Sequence, residues 1–293
     1  MSEADTVRSV TAVLALFSSA LWGTADFVGG TLTRRAHAFA VVGSSQAFAL
    51  AVILPLAWWV GAFGDPRGYL PWAVAGGLVG MGALVAFYGA LSIGTMGVVA
   101  PVAACGVVVP VAIGLAQGER PSPLAYLGIV LAIVGVVLAS GPEIRGVEEG
   151  TGKGGWRALG LAATAAVGFG LVLWMVAQGA KSSVPMTLLT QRASSVSAAL
   201  LVLLVVRRMG GLRRGDAPAL AVVGVFDVSA NGCYALATQS GLLAVVAVLG
   251  SLYPVATIVL ARFIHGERLV RVQQYGVAAA LVGVALIGAG GTG

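Results

Sequence analysis

The chain has 293 residues, of which 58% are hydrophobic and only 10% charged, with a mean hydropathy of +0.97. A water-soluble domain carries roughly 25% charged residues, so this composition excludes an ordinary soluble fold and makes lipid the solvent for most of the chain. The formal charge of +6 does not point to nucleic acid, because the arginines sit singly or in pairs between long apolar spans rather than along one face.

Ten apolar spans follow one another, each near the ~20 residues that a helix needs to cross a bilayer. They run approximately Val10–Leu32, Phe39–Val60, Leu70–Leu91, Gly97–Leu115, Leu124–Ala139, Ala158–Gln178, Val184–Val206, Ala217–Gln239, Leu242–Phe263 and Val272–Gly288. The first is read as a retained helix rather than a cleaved signal, because its apolar run is long and contains Asp26. Connections are short. The longest, Ser140–Arg157, holds Pro142, three glutamates and Lys153 and reads as a loop between halves. The 43 glycines suit close helix approach in lipid, with Gly76 and Gly80 a weak packing signal in the third span. Trp58, Trp59 and Trp72 sit at span ends and read as interface anchors. Pro101, Pro110 and Pro254 fall inside spans, where each removes a backbone hydrogen bond and can kink its helix. Cys105 and Cys233 read as small apolar core residues, with neither a disulfide framework nor a metal spacing.

The chain repeats itself. Gly118, Glu119, Arg120, Gly128 and Gly135 recur 148 residues later as Gly266, Glu267, Arg268, Gly276 and Gly283. Pro110-Val111-Ala112 recurs as Pro254-Val255-Ala256, 144 residues on. The expected organisation is a first repeat over 1–140, an inter-repeat loop over 141–157 and a second repeat over 158–293. Five spans per repeat force the halves to enter the membrane in opposite directions. The expected fold class is therefore an all-α polytopic membrane protein of ten transmembrane helices in two inverted five-helix repeats, a plan that places a binding site near the midplane. With the N-terminus inside, the cytoplasmic loops hold four basic residues and the opposite loops twelve, so the positive-inside rule favours both termini outside. Glu119-Arg120 and Glu267-Arg268 read as charged residues turning the chain at the interface.

An ionisable group in mid-bilayer costs at least ~2.5–3.5 kcal/mol on insertion scales, so each needs a reason. Asp26 lies one turn after Trp22. Gln191 and Arg192 lie in the seventh span. Asp227 lies mid-way along the eighth, with Asn231 four residues on and on the same helix face. Gln46 occupies the place of Gln191 when Gly23 is paired with Gly168, 145 residues apart. One reading is a polar site on the shared axis: Arg192 holds an anionic group of a substrate or neutralises an aspartate, and Asp26 and Asp227 are candidates to take up and release a proton. The other is a structural Arg–Asp pair with Asn and Gln gluing helices. Candidate substrate-binding residues are Trp22, Gln46, Tyr88, Trp174, Gln191, Arg192, Asn231 and Tyr253, the aromatics as possible cavity walls. No His-Glu-x-x-His, Gly-x-Ser-x-Gly or Walker-type loop occurs, so no catalytic residue, metal or cofactor is expected.

Leu21-Trp22-Gly23, the run Pro101…Pro110…Gly118-Glu119-Arg120-Pro121 and the run Asp227…Asn231…Tyr253-Pro254-Val255…Gly266-Glu267-Arg268…Gly276 together resemble the EamA branch of the drug/metabolite transporter superfamily, over essentially the whole chain. The resemblance implies a ten-helix inner-membrane carrier with a central cavity, exporting an amino acid or similar small metabolite by facilitated diffusion or proton exchange. It also implies both termini in the cytoplasm, opposite to the loop charges. The expected partners are a small-molecule substrate, the lipid bilayer and, for coupling, protons; oligomeric state is open. Broad-specificity efflux of apolar cationic compounds is the second transport reading. A non-transporting membrane enzyme or lipid-handling scaffold is the reading from another class.

Overall fold

The computed structural model describes residues 3–94, 96–148, 155–206, 211–265 and 271–290. These residues are helical apart from short turns, and no strand occurs among them. In chain order the helices are α1 (Glu3–Thr33), α2 (Ala38–Trp59), α3 (Leu70–Ile93), α4 (Met96–Ala104), α5 (Val108–Ala116), α6 (Pro123–Glu148), α7 (Gly155–Ala180), α8 (Val184–Val206), α9 (Ala217–Ser240), α10 (Leu243–Gly250), α11 (Tyr253–His265) and α12 (Arg271–Gly290). Among the described residues, six helices are long and apolar enough to cross a membrane: Ser9–Thr33, Ala38–Trp59, Arg67–Ile93, Trp156–Ala180, Val184–Leu204 and Arg214–Ser240. Val102–Ala116, Pro123–Gly135 and Leu243–Thr257 are shorter apolar helices.

The outer surface is that of a protein dissolved in lipid. Val13, Val130, Leu201 and Leu204 are exposed on helix flanks, and Trp58 and Trp59 are 75% and 80% exposed at the end of α2, far more apolar surface than water tolerates in one patch. Trp72 does not stand out as an anchor in the same way, since it packs edge-on against Trp174 with ring centroids 5.0 Å apart.

Two expected spans are each broken into a pair of helices. Gly97–Leu115 becomes α4 and α5, with a turn of 3-10 helix over Cys105–Val107 between them. Leu242–Phe263 becomes α10 and α11, parted at Ser251 and Leu252. Proline chemistry accounts for the positions. Pro110 and Pro254 have no N–H to offer the carbonyls four residues back, those of Gly106 and Gly250, and the helical ladder fails there. The two breaks thus sit at matching points of the repeat. Cys105 stands in the first break and is exposed rather than in the core, while Cys233 is half-buried. The stretch Ser140–Arg157 is not all loop: α6 runs on to Glu148 and α7 begins at Gly155, because a helix leaving lipid needs no apolar sequence to continue. Glu267 and Arg268, in the second copy of the charged motif, lie outside the described residues.

Packing is mirrored between the halves. α3 runs along α7 as α9 runs along α1; α3 rests on α8 as α9 rests on α2; α6 pairs with α12. The mirrored contacts are close at glycine. A Cβ on Gly77 would collide with the Gln191 carbonyl in α8, and one on Gly224 with the Ser45 carbonyl in α2.

Candidate functional site

The mirrored helices surround a cavity of about 80 Å³ in the middle of the bundle. Its wall is mainly apolar or bare backbone: Gly76, Gly80 and Leu84 of α3, Phe169, Gly170, Val172 and Leu173 of α7, and the broken segments at Gly106, Val107, Gly250 and Ser251. Both breaks bring turn backbone to this wall, with the Val108 N–H closing on the Cys105 and Gly106 carbonyls and the Ser251 N–H on that of Ala247.

The polar side chains arrive from four helices. α1 brings Trp22 and Asp26, α8 brings Gln191, Arg192 and Ser195, α9 brings Asp227 and Asn231, and α11 brings Tyr253 at its first residue. The spacing explains the clustering. Residues four apart share a helix face, so Trp22 and Asp26 point together, as do Asp227 and Asn231, and Gln191 and Ser195.

Asp227 is the hub. Its Oδ1 accepts from Trp22 Nε1 at 3.2 Å and from Asn231 Nδ2 at 3.1 Å. Its Oδ2 accepts from Gln46 Nε2 at 3.2 Å and pairs with Arg192 Nη1 at 2.9 Å. A carboxylate offers about four lone-pair sites, and here three hydrogen-bond donors and the guanidinium of the ion pair crowd them. Gln46 closes the loop, its Oε1 accepting from Arg192 Nη1 at 2.5 Å. Tyr234, fully buried, stacks obliquely on Trp22 with centroids 5.8 Å apart and steadies the indole.

Arg192 is only 4% exposed and is joined to this hub through one nitrogen. Nη1 donates to Gln46 Oε1 and faces the Asp227 carboxylate, whereas Nε and Nη2 have no hydrogen-bond partner among the described residues. A guanidinium carries five N–H donors, so three are unused. Beside it, Gln191 Oε1 is a buried acceptor that also lacks a partner. Ser195 Oγ is satisfied, shared between the carbonyls of Gly77 at 2.8 Å and Gln191 at 2.9 Å. Asp26 shares the cavity wall with Asp227 but not its partners: no hydrogen bond or ion pair to it occurs among the described residues.

Of the ten residues singled out from sequence, seven line the cavity and one stands behind it. Trp22, Asp26, Gln191, Arg192, Asp227, Asn231 and Tyr253 reach the cavity wall. Gln46, 1% exposed, stands behind it on the Arg192–Asp227 pair. Tyr253 turns its hydroxyl to the Ala100 carbonyl at 3.2 Å and presents the rest of its ring. Tyr88 and Trp174 are not on the wall. Tyr88 is buried against the Cβ-less surface of Gly29 in α1, and Trp174 packs on Trp72. Sequence reasoning missed Ser195 and the two breaks. The serine was legible as one helical turn beyond Gln191, and the breaks as four residues before Pro110 and Pro254.

Glu119 has a role that interface charge does not describe. α5 ends at Ala116 with Gln117 as its cap, and Gly118 takes φ +91°, a left-handed conformation that glycine adopts without strain. The chain then delivers Glu119 to the start of α10, where its Oε1 accepts from Leu243 N at 2.7 Å and its Oε2 from Ala244 N at 2.9 Å. A carboxylate from one half thus caps a helix of the other.

Comparison with known proteins agrees with this architecture. The sequence profile of the EamA-like transporter family matches twice, over residues 9–141 and 156–289. A solved crystal structure, described only as that of a protein, superposes with a TM-score of 0.74 at 16% identity, covering 95% of this chain and 96% of its own, a likeness of fold alone. A comparison with curated protein sequences returns no match. The chain is a multi-pass membrane protein that belongs to the EamA-like transporter family, with two copies of the family's repeat.

Proposed function

We propose that the protein is a secondary-active or facilitative transporter of the cell membrane that carries a small metabolite, an amino acid being the first candidate, through the central cavity by alternating access. In this reading the ten helical passes form two inverted five-helix halves, 1–140 and 158–293, joined by 141–157, and rock about the broken helices α4–α5 and α10–α11. The mirrored packing supports the inversion. The observation that carries the function is the polarity at one cavity left without partners among the described residues: three N–H donors of Arg192, the Gln191 acceptor and the Asp26 carboxylate. Buried polar groups are nearly always satisfied, and a cargo carrying a carboxylate and an ammonium would satisfy these. Trp22, Asn231 and Tyr253 then complete the wall, and Asp26, free of partners, is the better of the two acids to exchange a proton.

The test is counterflow. Proteoliposomes loaded with mixed unlabelled amino acids are given one labelled amino acid outside, with wild type compared against Arg192→Gln and Asp26→Asn. Labelled uptake by wild type that collapses in Arg192→Gln supports the reading. Uptake indifferent to Arg192 overturns the anion-binding role. The apolar wall beside Asp26 favours one competitor, efflux of apolar cations, which would require Asp26 and spare Arg192.

A further inference from the structure

An arginine and a carboxylate left to themselves form a parallel two-point fork. The Arg192–Asp227 pair does not: one nitrogen meets one oxygen. The reason is visible in what crowds the carboxylate. Trp22 and Asn231 fill Oδ1, which denies that oxygen to a second guanidinium nitrogen. Gln46 does two things at once. Its Nε2 occupies the remaining site on Oδ2, and its Oε1 holds Nη1 turned toward α2. With Nη1 fixed and Oδ2 full, Nε and Nη2 have nowhere to go within the pair.

We infer that Gln46 is a positioning residue for cargo binding: its side-chain amide holds the Arg192–Asp227 pair at a single contact and so reserves Nε and Nη2 of Arg192 for an anionic group of the cargo. The inference rests on the transport reading above. Gln46 lies behind the cavity wall, so it acts through Arg192 and not by touching cargo. The repeat adds an independent contrast. The mirrored contacts of Gly224 with the Ser45 carbonyl and of Gly77 with the Gln191 carbonyl make Ser45, not Gln46, the counterpart of Gln191, and Gln46 the counterpart of Arg192 itself. The first half thus supplies the amide and the second the cation it holds.

The amide's polarity is essential to this role. A side chain of the same length without polar atoms frees Nη1 and vacates a site on Oδ2, and the guanidinium then turns to meet Asp227 through two nitrogens. A carboxylate at position 46 competes for the same donors and takes them up itself. Either way the reserved nitrogens are lost, although Arg192 and Asp227 are both still present.

The test does not depend on knowing the cargo. Wild type, Gln46→Met and Gln46→Glu in proteoliposomes are treated with methylglyoxal, a small neutral dicarbonyl that adds to guanidinium nitrogens, and labelling at Arg192 is followed by peptide mass spectrometry against exposed Arg67 as reference. Labelling of Arg192 in wild type, slowed by about tenfold in Gln46→Met, is the expected result; tenfold corresponds to ~1.4 kcal/mol, the scale of one charge-assisted hydrogen bond. Gln46→Glu, which keeps length and polarity, is expected to slow labelling likewise and carries the test if Gln46→Met does not survive purification. Arg192 unlabelled in wild type overturns the proposal, since a cargo anion must reach the same nitrogens. Equal or faster labelling in both variants overturns it too. Counterflow that fails in wild type while the labelling pattern holds would overturn the amino-acid reading and leave the role of Gln46 standing.

Discussion

Two arginine–aspartate pairs among the described residues are built from the same groups to opposite ends. Between the α1–α2 turn and the start of α9, Arg35 engages Asp216 through both nitrogens: Nη1 donates to Oδ2 at 3.1 Å and Nη2 to Oδ1, and the backbone N–H of Arg213 adds a further bond to Oδ2 at 2.8 Å. This fork joins two loops and leaves no spare donor on either terminal nitrogen's carboxylate side. In the bundle centre, Arg192 meets Asp227 through one nitrogen, and neutral side chains occupy the rest of the carboxylate. A closed fork fastens; an open one, with its carboxylate filled by others, keeps a cation in reserve. Geometry rather than residue type separates a fastening from a site.

The largest expected effect comes from breaking the central pair. Asp227→Asn leaves a buried guanidinium without its counter-charge, and removal of one partner from a buried pair costs about 3–5 kcal/mol. Thermal unfolding in detergent should show that loss, together with abolished counterflow. Next is the contact that brings α9 against α2. Gly224→Ala drives a methyl into the Ser45 carbonyl, and overpacking of this kind costs about 1–3 kcal/mol; unfolding temperature should drop while an α-helical circular dichroism spectrum persists. Glu119→Ala removes the cap on α10 and should cost about 1–2 kcal/mol, with faster hydrogen exchange confined to Leu243 and Ala244. Asp26→Asn should change stability least among the buried acids, since that carboxylate makes no hydrogen bond among the described residues, yet it should abolish any response of counterflow to an imposed proton gradient. The smallest effect is expected at the closed fork. Arg35→Gln should barely move the unfolding temperature, and the difference should shrink further with added salt, because exposed pairs are screened. If Arg35→Gln proved as damaging as Asp227→Asn, the contrast between the pairs would fail.

Much of this architecture is legible in the sequence. Composition and span length give the helical membrane class. The polar residues that lipid makes expensive, Asp26, Gln191, Arg192, Asp227 and Asn231, all reach one cavity, because burial in lipid leaves few other places for them. The aromatics were less legible. Tyr88 and Tyr253 look alike in sequence, but whether a ring meets a cavity or a glycine-lined neighbour is set by partners far along the chain. The partition of Asp26 and Asp227 into bare and filled carboxylates was illegible for the same reason: Trp22 and Gln46 reach Asp227 across 205 and 181 residues. The broken helices were half legible, with Pro110 and Pro254 in view and the site of rupture one turn earlier.

The divergence of Gln46 from Arg192 has an evolutionary corollary. Two separate copies of one half, assembled as a homodimer, would present the same residue on both sides of the axis. An arginine at position 192 would then appear twice, putting two cations into a cavity of about 80 Å³, and so would each aspartate. In this chain Gln46 stands where the symmetry of the Gly77–Gln191 and Gly224–Ser45 contacts would put the second arginine. Joining the halves in one polypeptide released each position from its twin. The asymmetric charge of the cavity is therefore an outcome that fusion permits and self-association of a single half does not.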